Sequence, residues 1–187
     1  ILNRPDELLS VESNHHAKGI ELHLSILSQR FEALKQFRRA LTGRTGCGLC
    51  GVEALDQAIP VIAPVRSTMT LAETAVDVAI KQIKEHQTVQ RVTGAAHAAA
   101  WCNESGEILL LREDVGRHNA LDKLLGARAL TNNLERGFVL ITSRASYEMV
   151  VKVARLGVSA LVAVSAPTSL AIKTVSYTHL TLPTNGL

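Results

Sequence analysis

The run FVLITSRASYEMVVKVARLGVSALVAV, residues 138–164, decides the fold class. Phe138 to Thr142 reads as an apolar strand, Tyr147 to Leu156 as a helix that Gly157 can end, and Ala160 to Val164 as a second apolar strand. Strands that are apolar throughout need cover on both faces. The stretch therefore reads as a βαβ unit with a parallel, right-handed strand pair, and Pro167 is expected in the first turn of the next helix.

Upstream, His97 to Cys102 and Glu107 to Leu111 flank the turn-forming Asn103-Glu104-Ser105-Gly106, which makes a β-hairpin and hence a mixed sheet. Glu113 to His118 is a polar segment leading into a helix with Leu121, Leu124 and Leu125 on one face. Thr70-Leu71-Ala72-Glu73 has the form of a capping box before the helical stripe Leu71, Ala75, Val78, Ala79, Ile83. Near the start, Ile20, Leu22, Leu24 and Ile26 alternate with polar residues, the period of a strand with one face on a core, whereas Phe31 to Leu41 is basic and less regular. The expected fold is α/β, a mixed sheet with helices on both faces. The expected division is 1–56 for the first strand and a glycine-rich loop, 57–174 for the core, and 175–187 for a disordered or non-native tail, because the helical stripe stops there. The chain also lacks an initiating Met and reads as a fragment.

With 47% hydrophobic and 20% charged residues in 187, the composition is that of a soluble globular protein. Its net charge of +3 is scattered, which argues against an extended nucleic-acid surface, and no run approaches the about 20 apolar residues of a membrane span. Three cysteines, two of them in a CxxC, point to a reducing compartment, so the expected location is cytoplasmic.

That CxxC lies in Gly43-Arg44-Thr45-Gly46-Cys47-Gly48-Leu49-Cys50-Gly51. Glycines let the backbone approach a partner closely, and Arg44 can lower the pKa of a nearby thiol, so sulfur or metal chemistry is expected at Cys47 and Cys50. A short helix opening at Val52 would put Cys50 near its start. A zinc knuckle is the alternative, but the second pair of ligands is missing and no structural metal is expected. Three turns sit between strands and helices: Gly116-Arg117-His118, Ser143-Arg144-Ala145-Ser146 and Ser165-Ala166-Pro167-Thr168. Together they can frame a phosphate-rich ligand, with Arg117, His118, Ser143, Arg144, Ser146 and Ser165 as candidate contacts. His97 and His118 are proton-donor candidates or plain structural histidines, and Glu113 and Asp114 either position Arg117 and His118 or end a solvated strand. Trp101 and Tyr147 read as core or cleft wall, Cys102 as inert packing.

The motifs GRTGCGLCGVEAL, HAAAW, EDVGRHNALDKLLG, SRASYEMV and VAVSAPTSLA, in this order, resemble the formate dehydrogenase accessory sulfurtransferases, the FdhD/NarQ family, over roughly Arg30 to Ala171. The resemblance implies a cytidine-deaminase-like fold and a sulfur carrier. Sulfane sulfur would pass from a cysteine desulfurase to a persulfide on Cys47, with Cys50 as its partner. From there it would pass to the molybdenum cofactor in its bis-guanine-dinucleotide form, bound as substrate before entering formate dehydrogenase. It also implies a homodimer for full-length members, and an N-terminal portion and a C-terminal cofactor-binding segment that this sequence lacks. Rival readings are a cofactor chaperone without sulfur transfer and a CxxC thiol-disulfide oxidoreductase. A zinc deaminase fits less well, since His97 is followed by Ala98-Ala99 rather than reaching a Glu, and the cysteines come too early.

Overall fold

The computed structural model describes residues 2–38, 62–66, 69–131 and 135–182, excluding the side chains of 36–38. Cys47, Cys50 and the helix expected after Val52 lie outside the described residues. The chain divides into two compact units, residues 1–60 and 61–187.

In the first unit, β1 (Leu8–His16) pairs antiparallel with β2 (Gly19–Ile26), and α1 (Ser28–Arg38) follows. Register places Val11 opposite Leu24, Ser13 opposite Leu22 and His15 opposite Ile20, so the alternation does mark one face. That face is not on a core. Leu22 and Leu24 are 59% and 57% exposed, because period-two patterning specifies a face without specifying what covers it. Glu7 ties the unit together: its carboxylate accepts from Asn3 N (2.6 Å) and from Arg30 Nη2 (2.7 Å), and the Arg30 bond foremost holds its pKa down to about 2. The stretch read as irregular is helical through residue 38, with Lys35 reaching Glu32 (2.7 Å) and lying 4.7 Å from the centre of the Phe31 ring.

The second unit holds a mixed sheet in the order β4-β3-β5-β6, made of β3 (His97–Asn103), β4 (Ile108–Asp114), β5 (Gly137–Arg144) and β6 (Leu161–Ser165). β3 is antiparallel to both neighbours and β5–β6 is parallel, so the hairpin and the βαβ strand pair are both as expected. On one face Trp101, Val139, Ile141 and Leu161 pack against α4 (Arg117–Leu130), α5 (Tyr147–Arg155) and α6 (Ser169–Thr178). On the other, Ala100, Phe138, Leu140 and Val162 meet Ala79 and Ile83 of α2 (Glu73–His86). Helices thus cover both faces. Trp101 is core: its Nε1 donates to Glu135 O (3.2 Å), and the Arg128 guanidinium lies 4.2 Å from its ring centre. Cys102 is buried, and burial pushes its thiol up to about 12, which makes it the inert packing residue expected.

Two glycines sit where no side chain fits. A Cβ on Gly137 would lie 1.9 Å from Cys102 O, and one on Gly106, at φ +90°, would lie 2.1 Å from Ala75 O.

Three helix boundaries differ from the sequence reading. The N-cap of α2 is Ala72, without a side-chain bond, so Thr70 and Glu73 form no capping box; buried Met69 and half-buried Leu71 set the chain's entry instead. The stripe's Val78 is 38% exposed, while Ala75, Ala79 and Ile83 are buried. Pro167 precedes the N-cap of α6 rather than entering its first turn; the cap is Thr168, whose Oγ1 accepts from Ala171 N (3.2 Å). Residues 175–178 continue α6, and Thr181 then bridges to Ala160, with Leu161 N donating to Thr181 O (2.9 Å) and Thr181 N to Ser159 O (2.8 Å). A disordered tail from 175 is therefore not what the structure has up to 182; residues 183–187 lie outside the described residues.

Candidate functional site

Because β3 alone runs backwards, the carboxyl ends of β4, β5 and β6 share one end of the sheet with the amino end of β3. Open α/β sheets collect ligands at such an end. The three turns expected to bind a ligand all lie there. Arg144 pairs with Ser165 across β5 and β6, Thr168 N donates to Ala145 O (2.9 Å), and His118 at the start of α4 has its Nε2 3.9 Å from Glu148 Oε2 at the start of α5.

Several polar atoms here are buried without a hydrogen-bond partner among the described residues: Arg117 Nε, His118 Nε2 and Ser146 Oγ. Ser146 is the N-cap of α5 yet makes no cap bond with its side chain. Leaving a buried polar group unmatched costs about 1–3 kcal/mol, so three within two adjacent helix starts mark a place that a polar ligand would complete. Ser143 is otherwise engaged, donating to Arg144 O (3.2 Å), whereas Arg144 is exposed. Burial, then the charge of Arg117, lowers the pKa of His118, against the opposing pull of Glu148. The ring is thus neutral at pH 7, with one nitrogen to donate and one to accept. The Tyr147 hydroxyl is also unpartnered among the described residues, but Tyr147, the first residue of α5, packs in the core.

Glu113 and Asp114 do not position Arg117 or His118 by contact. Glu113 accepts from Val89 N and Gln90 N (both 2.8 Å), capping the short helix α3 (Thr88–Thr93) from a distant strand. Asp114 accepts from Gly116 N (2.8 Å) and Asn119 Nδ2 (3.2 Å) and pairs with Lys123, shaping the turn into α4. The Lys123 bond foremost lowers the Asp114 pKa to about 2. A depressed carboxylate pKa stabilises the fold above the usual carboxylate range and loses that contribution as pH falls towards about 2. Asp114→Asn is therefore expected to lower the melting temperature at pH 5–7, with the gap to the parent closing between about pH 4 and 2. A gap independent of pH would rule out the charge of Asp114 as its source.

Sequence reasoning missed Glu148, which sequence-adjacent spacing to His118 could not reveal, and a cavity of about 410 Å³ beside Thr142, lined by Gln87, Gln90 and His97 among others. Among the described residues, no group of three or more His, Cys, Asp or Glu side chains is arranged to hold a metal ion.

Comparison with known proteins agrees with this architecture. A crystal structure of a putative formate dehydrogenase accessory protein from Desulfotalea psychrophila superposes over 100% of this chain and 67% of its own, with a TM-score of 0.67 at 22% identity, and so shares the fold. The "Sulfur carrier protein FdhD" of Cupriavidus necator is 48% identical over 183 residues, 97% of this chain and 64% of that protein. The protein of the same name from Variovorax paradoxus is also 48% identical over 183 residues, 66% of its length. The chain thus spans about two thirds of the length of these relatives. The model of the FdhD/NarQ family matches residues 1–184, and the chain belongs to that family.

Proposed function

We propose that the chain is the larger part of a sulfur carrier that loads sulfur onto the molybdenum cofactor for formate dehydrogenase. The observation that carries this reading is its 48% identity, over 97% of its length, to relatives named sulfur carrier proteins. The Cys47–Cys50 loop has the residues such a task needs. In the first step the Cys47 thiolate attacks the outer sulfur of a cysteine desulfurase persulfide. The donor's S–S bond breaks, the donor leaves as a thiolate, and Cys47 holds the sulfur as Cys–S–SH. Attack by the Cys50 thiolate on Cys47 Sγ would release that sulfur as hydrosulfide, the dithiol being oxidised to a disulfide as the sulfane sulfur is reduced.

The cofactor is substrate here, in its bis-guanine-dinucleotide form. Its phosphates suit the turns carrying Arg117, His118, Ser143, Arg144, Ser146 and Ser165, where the unpartnered Nε2 of His118 and Oγ of Ser146 support a polar ligand. Among the described residues no helix is long and apolar enough to cross a membrane, and persulfide chemistry suits the reducing cytoplasm proposed for the protein. A homodimer belongs to the same reading.

The test is mass spectrometry, without reductant, of the Cys47–Cys50 peptide after incubation with a cysteine desulfurase and cysteine. One extra sulfur atom on Cys47, absent in Cys47→Ala, is the expected result. A folded protein that takes sulfur on neither cysteine would sink the carrier mechanism. Guanine-nucleotide binding that survives loss of both cysteines would then favour a cofactor chaperone, and a Cys47–Cys50 disulfide turning over with protein thiols would favour an oxidoreductase.

A further inference from the structure

Because α5 leads from the carboxyl end of β5 back to the start of β6, its last turn lies at the end of the sheet away from the three turns. A groove of about 520 Å³ lies there, between the end of α5 and the extended strip 62–66, all within the second unit. Both walls are fixed. α5 closes with Val158 N donating to Val153 O (3.3 Å) and Gly157 N to Ala154 O (2.9 Å), Gly157 standing at φ +69°. Across from it, Ile62 and Val65 are buried in the core, and Val65 N donates to Thr178 O (2.9 Å). Ala63, Pro64 and Arg66 stay outside. Buried residues three apart have the period of a polyproline-type extended chain, which Pro64 stiffens.

The lining is apolar apart from two arginines. Arg66 comes from the strip and Arg155 from the last turn of α5, and no carboxylate lines the groove with them. Both are exposed, and neither makes an ion pair or a side-chain hydrogen bond among the described residues. Lys152, three residues earlier on the same helix, is by contrast matched by Asp122. A guanidinium is weakly hydrated and offers a planar fork that fits a carboxylate. Two of them beside an apolar lining are the complement of acidic side chains that flank an apolar one.

We propose that this groove docks an extended acidic segment of a protein partner, with carboxylates on Arg66 and Arg155 and an apolar side chain of the same segment against Ile62, Val65 and Ala154. A second copy of the chain fits poorly, because a two-fold contact of groove with groove sets arginine against arginine. Nucleic acid fits no better. A phosphate backbone calls for a stripe of cations, and the lining has two. The stiff strip favours binding, since it has little freedom left to lose. Neither the cysteines nor the turns at the other end of the sheet take part, so the groove goes beyond the sulfur-carrier reading and stands or falls apart from it.

Anisotropy titration of the whole chain at low salt with a fluorescent Glu-Leu-Glu-Leu-Glu peptide, and with Gln-Leu-Gln-Leu-Gln as its neutral counterpart, tests the docking. The acidic peptide should bind about 10-fold or more tightly than the neutral one, less so as salt rises, and should shift amide signals within 62–66 and 154–157. Arg66→Glu combined with Arg155→Gln, the latter sparing the helix end an anion, should weaken its binding about 10-fold or more. The melting temperature of Arg66→Glu should stay that of the parent, since the side chain it replaces is exposed and unpaired among the described residues. Equal binding of the two peptides, no loss in the double variant, or shifts confined to the starts of α4 and α5 would each overturn the proposal. So would self-association of the chain that Arg66→Glu abolishes, which would give the groove to a second copy.

Discussion

Gly106→Ala is expected to destabilise the second unit by about 3 kcal/mol or more, a large share of the about 5–15 kcal/mol that holds a domain folded. Two costs act together. At φ +90° an L-residue is strained by itself, and the added carbon would sit 2.1 Å from Ala75 O, an atom of backbone that cannot rotate away. The hairpin turn and the first turn of α2 would have to separate, and the hydrogen bonds that Asn103 Oδ1 accepts from Ser105 N (3.2 Å) and Glu107 N (2.9 Å) would strain with them. Urea unfolding followed by the fluorescence of Trp101, the chain's one tryptophan, measures the effect. A loss below about 1 kcal/mol would mean that the turn and α2 are not in contact as described.

Phe138→Ala is expected to cost about 3–5 kcal/mol in the same assay. Phe138 is fully buried, stands opposite Cys102 on β3, and joins Ala79 and Ile83 of α2 to the sheet. Its cluster includes Ala98, Ala100 and Ala160, small side chains on or beside a paired sheet that cannot move in to fill the space left. A cost near 1 kcal/mol would instead imply that α2 collapses onto the sheet when the ring is gone.

Much of this architecture is legible in the sequence because two of its strands are apolar on both faces. The runs 138–142 and 160–164 read as strands covered by helices on both faces, and a helix between them points to a parallel pair. What escaped reading was non-local or disguised. The cap of α3 comes from Glu113, 24 residues from Val89, and no local motif announces it. The last turns of α6 are disguised by their threonines. Thr174 and Thr178 return their hydroxyls to Leu170 O (2.8 Å) and Thr174 O (2.9 Å), and so turn toward the core as an apolar residue would. Read as polar letters, they break the stripe; in the helix they continue it from Ala171. The candidate site divides the same way. Its turns were visible as polar interruptions between strand and helix, but the approach of His118 to Glu148 and the unpartnered hydroxyl of Ser146 depend on how the elements stack. Cys47 and Cys50 lie outside the described residues, and their candidacy rests on residue chemistry alone.

The bridge from Thr181 to Ala160 has a bearing on solubility. An outermost strand with bare N–H and C=O groups is a template on which another molecule's strand can add, and apolar edge strands are where proteins associate wrongly. At the start of β6 the groups of Ser159 and Leu161 are already bonded to Thr181, next to a run of Leu161, Val162 and Ala163 that is almost wholly buried. Four residues beyond the last helix thus act as a selvedge: cut away, they would leave the most apolar margin of the sheet open to a second copy of itself.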